Sequence, residues 1–369
     1  MRPRTPTTRA TPDRASRRGF AAYLLLPFCL LASAGAAHAA AWSDNLQREV
    51  QRIDRDSPGT LGVYVKRLNG GETFSYGSDK FWYLGSTVKV PIAIALLQQV
   101  DAGKLKLTDT LKLQDTDRIE AGRLVWSKTG TALQLGDLLK RMLGESDNTA
   151  ANMLIRAVGE DKVNETARAA MGTKGFEKIT TLAQVRYDVY AEIHPDARKL
   201  PNTQMVQIAG APLGPGRVEA VRKALNLKTT DLKAKTIDEA YDRYYKTNVN
   251  SATLEAYGDM LEKLVKGQLL KPPSTQLLFT AMKIDIFTNY RLQAGLPRSE
   301  KFIHKTGTQY RRACHVGVIN PQNGGADAIV VTTCAADLDE QKQAGRVFQQ
   351  VGQAITKTML TGPATAAAR

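Results

Sequence analysis

Cysteine is scarce in this chain of 369 residues. It has three, and one of them, Cys29, lies in an N-terminal segment expected to be removed. The other two, Cys314 and Cys334, have no nearby His or Cys at metal-ligand spacing, so no metal centre is expected. Zinc-ligand spacing, an aromatic-rich basic strand and a long Lys/Arg run are also missing. Their absence excludes nucleic acid as an expected partner, even at a formal net charge of +15. No apolar run reaches the ~18 residues that a bilayer-spanning helix needs. The best, Phe20 to Ala32, is too short and is interrupted by Pro27, so no stable span is expected after processing.

A hydrophobic fraction of 43% and a charged fraction of 24% are ordinary for a globular protein with a sizeable core. Residues 1–40 read as an export leader. Arg2, Arg4, Arg9, Arg14, Arg17 and Arg18 are followed by the apolar run and by the small-x-small sequence Ala37-His38-Ala39. Ser16-Arg17-Arg18-Gly19-Phe20 resembles a twin-arginine export signal. Without this leader the charge is (51 − 6) − (36 − 1) = +10. Such a surface suits an anionic cell wall, or is merely solvated. In an oxidising compartment Cys314 and Cys334 can pair. A monomeric periplasmic protein is the expectation.

Thr60 to Leu68 and Glu72 to Tyr76 carry a strand pattern around Asn69-Gly70-Gly71, which predicts a hairpin. A mostly apolar helix is predicted from Ser86 to Val100, with Pro91 tolerated in its first turn. Further helices are expected at Leu133 to Leu143, Thr149 to Val158, Ala252 to Lys266, Ser274 to Ala281 and Leu338 to Leu360. Strand-like runs occupy Lys301 to Thr306, Ala313 to Asn320 and Ala326 to Thr333. Strands at both ends with helices between them predict an antiparallel sheet packed on helices. In this plan residues 41–360 form the folded part, with an expanded insertion around 183–246, and residues 361–369 form a tail. If the hairpin loop around Asn323 is short, Cys314 and Cys334 fall three positions out of register. If the loop runs from Pro321 to Asp327, they face each other.

Three short motifs stand in order: Ser86-Thr87-Val88-Lys89, Ser146-Asp147-Asn148 and Lys305-Thr306-Gly307. A serine hydroxyl is a weak nucleophile without a base. On a helix, positions i and i+3 share a face, which puts Lys89 in reach of Ser86. Burial and a second cation such as Lys305 would hold Lys89 neutral and able to take the proton. Ser146, in the break between two helices, can relay a proton to a leaving group, and Asn148 can hydrogen-bond a substrate amide. One of these three residues is also expected to cap the following helix. Lys128-Thr129-Gly130 repeats the third motif in a loop-like stretch and reads as a decoy.

Together the motifs resemble the set that marks class A β-lactamases and penicillin-binding proteins. Ser146 to Leu154 (SDNTAANML) and Gly130 to Leu139 (GTALQLGDLL) look particularly like the class A branch. The resemblance implies the α/β (α+β) DD-peptidase and β-lactamase fold, a five-stranded antiparallel sheet flanked by helices with a helical subdomain. It implies catalytic roles for Ser86, Lys89 and Ser146. It also implies substrate binding by Asn148, Lys305, Thr306, Gly307 and Thr308, with the Thr308 N–H as second oxyanion donor. No cofactor or metal is required. The substrate would be a β-lactam or a cell-wall D-Ala-D-Ala peptide. The resemblance stops at the glutamate that breaks the acyl-enzyme in class A, found there in an E-x-x-L-N context. Ile179 to Leu182 enters the equivalent region, but no such sequence follows, and Asp188 and Glu192 are the nearest acids. The arginine often found on the strand after K-T-G is displaced too. Cys314 aligns with it, and Arg311 and Arg312 stand close by.

Overall fold

A computed structural model describes residues 28–282 and 290–361, with side chains from Trp42 onward. The basic leader with its twin-arginine-like sequence, and the tail from residue 362, lie outside the described residues. The chain opens with helix α1 (Phe28–Asp56), strands β1 (Thr60–Arg67), β2 (Thr73–Tyr76) and β3 (Trp82–Tyr83), and helix α2 (Lys89–Asp101). Strands β4 (Thr110–Lys112) and β5 (Ala132–Gln134) lead into helices α3 (Leu135–Gly144), α4 (Asn148–Val158) and α5 (Glu160–Met171). Next come α6 (Leu182–Ile193), α7 (Asn202–Gly210), α8 (Pro215–Ala224) and α9 (Ile237–Tyr245), which fill the stretch expected as an insertion around 183–246. Strand β6 (Ser251–Ala252), helices α10 (Leu254–Val265) and α11 (Pro272–Ala281), strands β7 (Phe302–Gln309), β8 (Arg312–Ile319) and β9 (Ile329–Ala336), and helix α12 (Ala344–Ile355) complete it.

The main sheet is five-stranded and antiparallel, in the order β2-β1-β9-β8-β7. It is drawn from both ends of the chain, and β7 is an edge strand. Alternate side chains point to opposite faces. Val63, Val65, Ile329 and Val331 pack with Leu46, Val50 and Ile53 of α1 and with Val347, Phe348 and Val351 of α12. Val316, Val318 and Val330 face the other way, into the large core shared by α2 to α6 and α10. Helix α2 is the axis of that core: every residue from Lys89 to Leu97 is buried. A helix apolar all round fits only such an interior.

The helix expected over Leu338 to Leu360 starts later. Asp339 accepts hydrogen bonds from the Gln341 and Lys342 N–H groups at 3.0 and 2.9 Å, which hold a turn, and α12 begins at Ala344. The loop between β8 and β9 is the longer of the two alternatives. Ile319 pairs with Ile329, Cys314 stands directly opposite Cys334, and the two sulfurs are bonded. A cross-link closing a loop of this length stabilises a fold by about 3 kcal/mol. Denatured, unreduced mature protein should therefore contain no titratable thiol, and reduction should lower the melting temperature. Two free thiols in that sample would show that the bond does not form.

Candidate active site

The site is built where β7 runs beside the turn preceding α2. Gly85 to Val88 form a single 3-10 turn, with Gly85 at φ +54. The Thr87 N–H and hydroxyl both donate to the Leu84 carbonyl, at 3.2 and 2.8 Å, and Tyr257 OH donates to the Thr87 carbonyl at 2.8 Å. On the opposite side, a Cβ on Gly307 would stand 2.0 Å from the Leu84 oxygen and 3.2 Å from the Ser86 nitrogen. Only glycine permits this approach. It brings the Ser86 and Thr308 main chains together at the mouth of the site.

Lys89 is fully buried, with its ammonium nitrogen 3.0 Å from Ser86 Oγ and 3.1 Å from Ser146 Oγ. The same nitrogen donates to the Ser146 carbonyl and to Asn148 Oδ1, both at 2.6 Å. Lys305, also fully buried, donates to the same Ser146 Oγ at 3.0 Å and to the Thr306 carbonyl at 3.1 Å. Two lysines thus share one hydroxyl. Burial first and the Lys305 charge second push the Lys89 pKa well below its ordinary value, against a smaller pull from Asp147. Burial, then Arg291, lowers Lys305 to about 7.

The S-D-N turn is held from within. Ser146 adopts φ +56, a left-handed conformation uncommon for a residue with a side chain. Asp147 caps α4 by accepting from the Ala150 N–H at 2.9 Å, and its other oxygen accepts from the Leu124 N–H at 2.9 Å. Asn148 donates to the Glu120 carbonyl at 2.8 Å. The decoy Lys128-Thr129-Gly130 lies apart in a loop, where the Thr129 hydroxyl donates to Asp115 at 2.6 Å.

Sequence reasoning missed Arg291. It is buried in the segment before β7 and donates to the Gly307 and Cys314 carbonyls, each at 2.9 Å, and to Thr308 Oγ1 at 2.8 Å. Its guanidinium therefore sits beneath K-T-G-T, whereas Arg311 and Arg312 are taken up at the hairpin tip by Asp337. No periodicity or motif marks residue 291. Also missed was the buried pair His304 and His315, whose ring nitrogens are 3.0 Å apart behind Lys305. Burial above all holds both neutral, with His304 lowered to about 4.

The two carboxylates considered for deacylation are engaged elsewhere or distant from this network. Asp188 accepts from Gln184 at 2.9 Å and pairs with Arg198. Glu192 lies near the end of α6 and makes none of the Lys89 or Ser86 contacts. The chain entering α6 is apolar where it meets α4: the Leu182 N–H donates to Asn152 Oδ1 at 2.7 Å, and Ile179 and Leu182 are buried. Among the described residues, Asp147 is the carboxylate that acts on Lys89.

The fold is the one shared by class A β-lactamases and PBP-A. A PBP-A structure, in a mutant determined as an acyl-enzyme complex with penicillin G, superimposes with TM-score 0.63 at 20% identity, covering 86% of this chain and 97% of that one. A β-lactamase structure from Xanthomonas campestris gives TM-score 0.63 at 21% identity, covering 86% and 98%. Among curated relatives, β-lactamase VEB-1 of Pseudomonas aeruginosa is 22% identical over 329 residues, 86% of this chain and 90% of that protein. A β-lactamase of Rhodobacter capsulatus is 32% identical over 114 residues, 31% of this chain. That match spans 39% of the Rhodobacter protein's own length. The family model described as the beta-lactamase enzyme family matches residues 45–359, and the chain belongs to that family.

The two lysines set a pH dependence. Neutral Lys89 is the form able to accept a proton, so acylation efficiency should fall on the acid side as Lys89 becomes protonated. To hold a substrate carboxylate Lys305 would have to carry its charge, so under that role efficiency should also fall as pH rises past about 7. Lys305→Arg keeps the charge and should remove the basic limb while leaving the acid limb. A basic limb unchanged in Lys305→Arg would show that Lys305 does not set it.

Proposed function

We propose that this protein is a serine hydrolase of the class A β-lactamase type, which opens a β-lactam amide through an ester on Ser86. The observation that carries this reading is the Lys89 nitrogen, buried and within 3.1 Å of Ser86 Oγ, Ser146 Oγ and Asn148 Oδ1 together. Ser86 Oγ attacks the lactam carbonyl and gives its proton to neutral Lys89. The developing oxyanion is held by the Ser86 and Thr308 N–H groups. The ring nitrogen leaves with a proton relayed through Ser146 Oγ, which contacts both lysines. Lys305 and Thr306 bind the substrate carboxylate, and Asn148 binds the side-chain amide. A general base contributes about 10²–10⁴-fold. Lys89→Ala should lower the acylation rate by that order, and Ser86→Ala should abolish labelling by a fluorescent penicillin with its circular dichroism unchanged. Labelling of Ser86→Ala would sink the assignment.

A second reading, a slowly deacylating penicillin-binding protein acting on cell-wall D-Ala-D-Ala peptides, is favoured by one observation. Among the described residues, the Lys89–Ser86–Ser146 network contacts no carboxylate that could activate a water, and Asp188 is paired with Arg198. We infer that acylation outruns deacylation and that the mature protein works in the periplasm after removal of its leader. Mixed with benzylpenicillin, it should show a lasting adduct by intact-protein mass spectrometry. Rapid penicillin consumption with no adduct would reveal a competent deacylation base, to be sought first with Asp188→Asn and Glu192→Gln.

A further inference from the structure

The insertion contributes a hydrogen-bonded chain that crosses from one wall of the cleft to the other. Arg186 of α6 is largely buried, with 14% of its side chain exposed. Its Nε pairs with the Glu120 carboxylate, and its Nη1 donates to Tyr241 OH at 2.7 Å. Tyr241 OH in turn donates to Gln309 Oε1 at 3.1 Å. Glu120 holds Asn148 through its carbonyl at 2.8 Å, so the chain runs unbroken from Asn148 to Gln309. Asn148 belongs to the S-D-N wall. Gln309 ends the edge strand β7, two residues past Gly307.

Packing makes this chain stiff. Tyr241 is buried on α9, with its ring 5.6 Å from that of Tyr245 and 5.1 Å from that of Tyr310. Tyr245 OH donates to the Tyr310 carbonyl at 2.6 Å, and Tyr310 OH donates to Asp238 at 3.1 Å. Helix α9 therefore grips the tip of the β7–β8 hairpin at several points. Tyr83, three residues before Ser86, packs on Tyr244 and Tyr245 of the same helix. A guanidinium with fixed planar geometry, braced by a carboxylate and a phenol, resists change in length better than a flexible ammonium would.

We propose that Arg186 and Tyr241 are positioning residues, a strut that sets the separation between Asn148 and the end of β7. This rests on the acyl-enzyme reading above. A substrate with an acylamino side chain must be held by both walls at once, whereas one without it needs only Ser86, Lys305 and Thr306. A misplacement of about 1 Å in such a grip costs up to about 10²-fold in rate. The strut thus favours side-chain-bearing substrates over bare ones.

The test compares acylation efficiency (the second-order rate of adduct formation) for benzylpenicillin and for penicillanic acid, which has no acylamino group. Tyr241→Phe keeps the ring and removes the hydroxyl that links Arg186 to Gln309. It should lower the benzylpenicillin value by about tenfold and the penicillanic acid value by less than about twofold. Arg186→Met should widen that ratio, and Arg186→Lys should recover only part of it. If Tyr241→Phe fails to fold, Gln309→Leu cuts the same link from the strand side and should give the same selective loss. Equal losses on both substrates, or no loss on benzylpenicillin, would overturn the proposal. Wild-type protein acylated by neither compound would remove the acyl-enzyme reading and the strut with it, an outcome distinct from the other two.

Discussion

The structure turns on one buried lysine, Lys89, whose pKa burial pushes well below its ordinary value. Lys89 opens a helix whose first nine residues are all buried, and it is covered by the K-T-G strand and the S-D-N turn. A buried ammonium without acceptors would be expensive; four oxygens surround this nitrogen, and burial still pushes its pKa well below the ordinary value. A wholly buried stretch of helix, Lys89 to Leu97, keeps one nitrogen dry. Lys305 reinforces the arrangement: because it shares Ser146 Oγ with Lys89, one lysine's charge opposes the other's. Burial and the Lys305 charge therefore both act against the ammonium form of Lys89.

Holding that network takes backbone conformations that would not arise by local preference. Gly85 and Ser146 both lie at positive φ, on opposite sides of Lys89. For Ser146, strain of this kind costs of order 1–3 kcal/mol and persists only where surrounding bonds dictate it. Here they do: its carbonyl and hydroxyl are both bonded to Lys89, and the next residue is locked by the N–H groups of Leu124 and Ala150. Arg291 does the same for β7, tying two carbonyls and the Thr308 hydroxyl into one guanidinium.

Much of this was legible in the sequence because it depends on local spacing. The i, i+3 relation of Ser86 and Lys89, the break before α4 and the strand carrying Lys305 each left a mark a few residues long. The sheet was legible too, since its strands alternate and its turns carry glycine. What was hidden comes from long-range assembly. Arg291 reaches its partners from a segment with no periodic pattern, and His304 and His315 meet only through strand pairing. The stretch from 183 to 246 was opaque for a different reason. Helices α7 to α9 have only nine or ten residues each, and α6 mixes charged and apolar residues because some of its polar side chains, Arg186 above all, point inward to partners that only the fold supplies. The Leu338 end was misjudged because the Asp339 carboxylate holds a turn, accepting from the Gln341 and Lys342 N–H groups, and so interrupts an otherwise continuous helical pattern.

The contact between Gly307 and Leu84 has a consequence for how this chain can change over time. With 2.0 Å between the Leu84 oxygen and the place a Cβ would occupy, the edge strand and the Gly85–Val88 turn pack without a gap between them. A drift in one cannot be absorbed by the other. Sequence divergence is then tolerated unevenly: the exposed outer faces of α7 to α9 can vary with little constraint, while any lineage that reshapes the β7–β8 hairpin must carry compensating changes on both sides of that seam at once. Variation in this protein should accumulate around the cleft long before it crosses it.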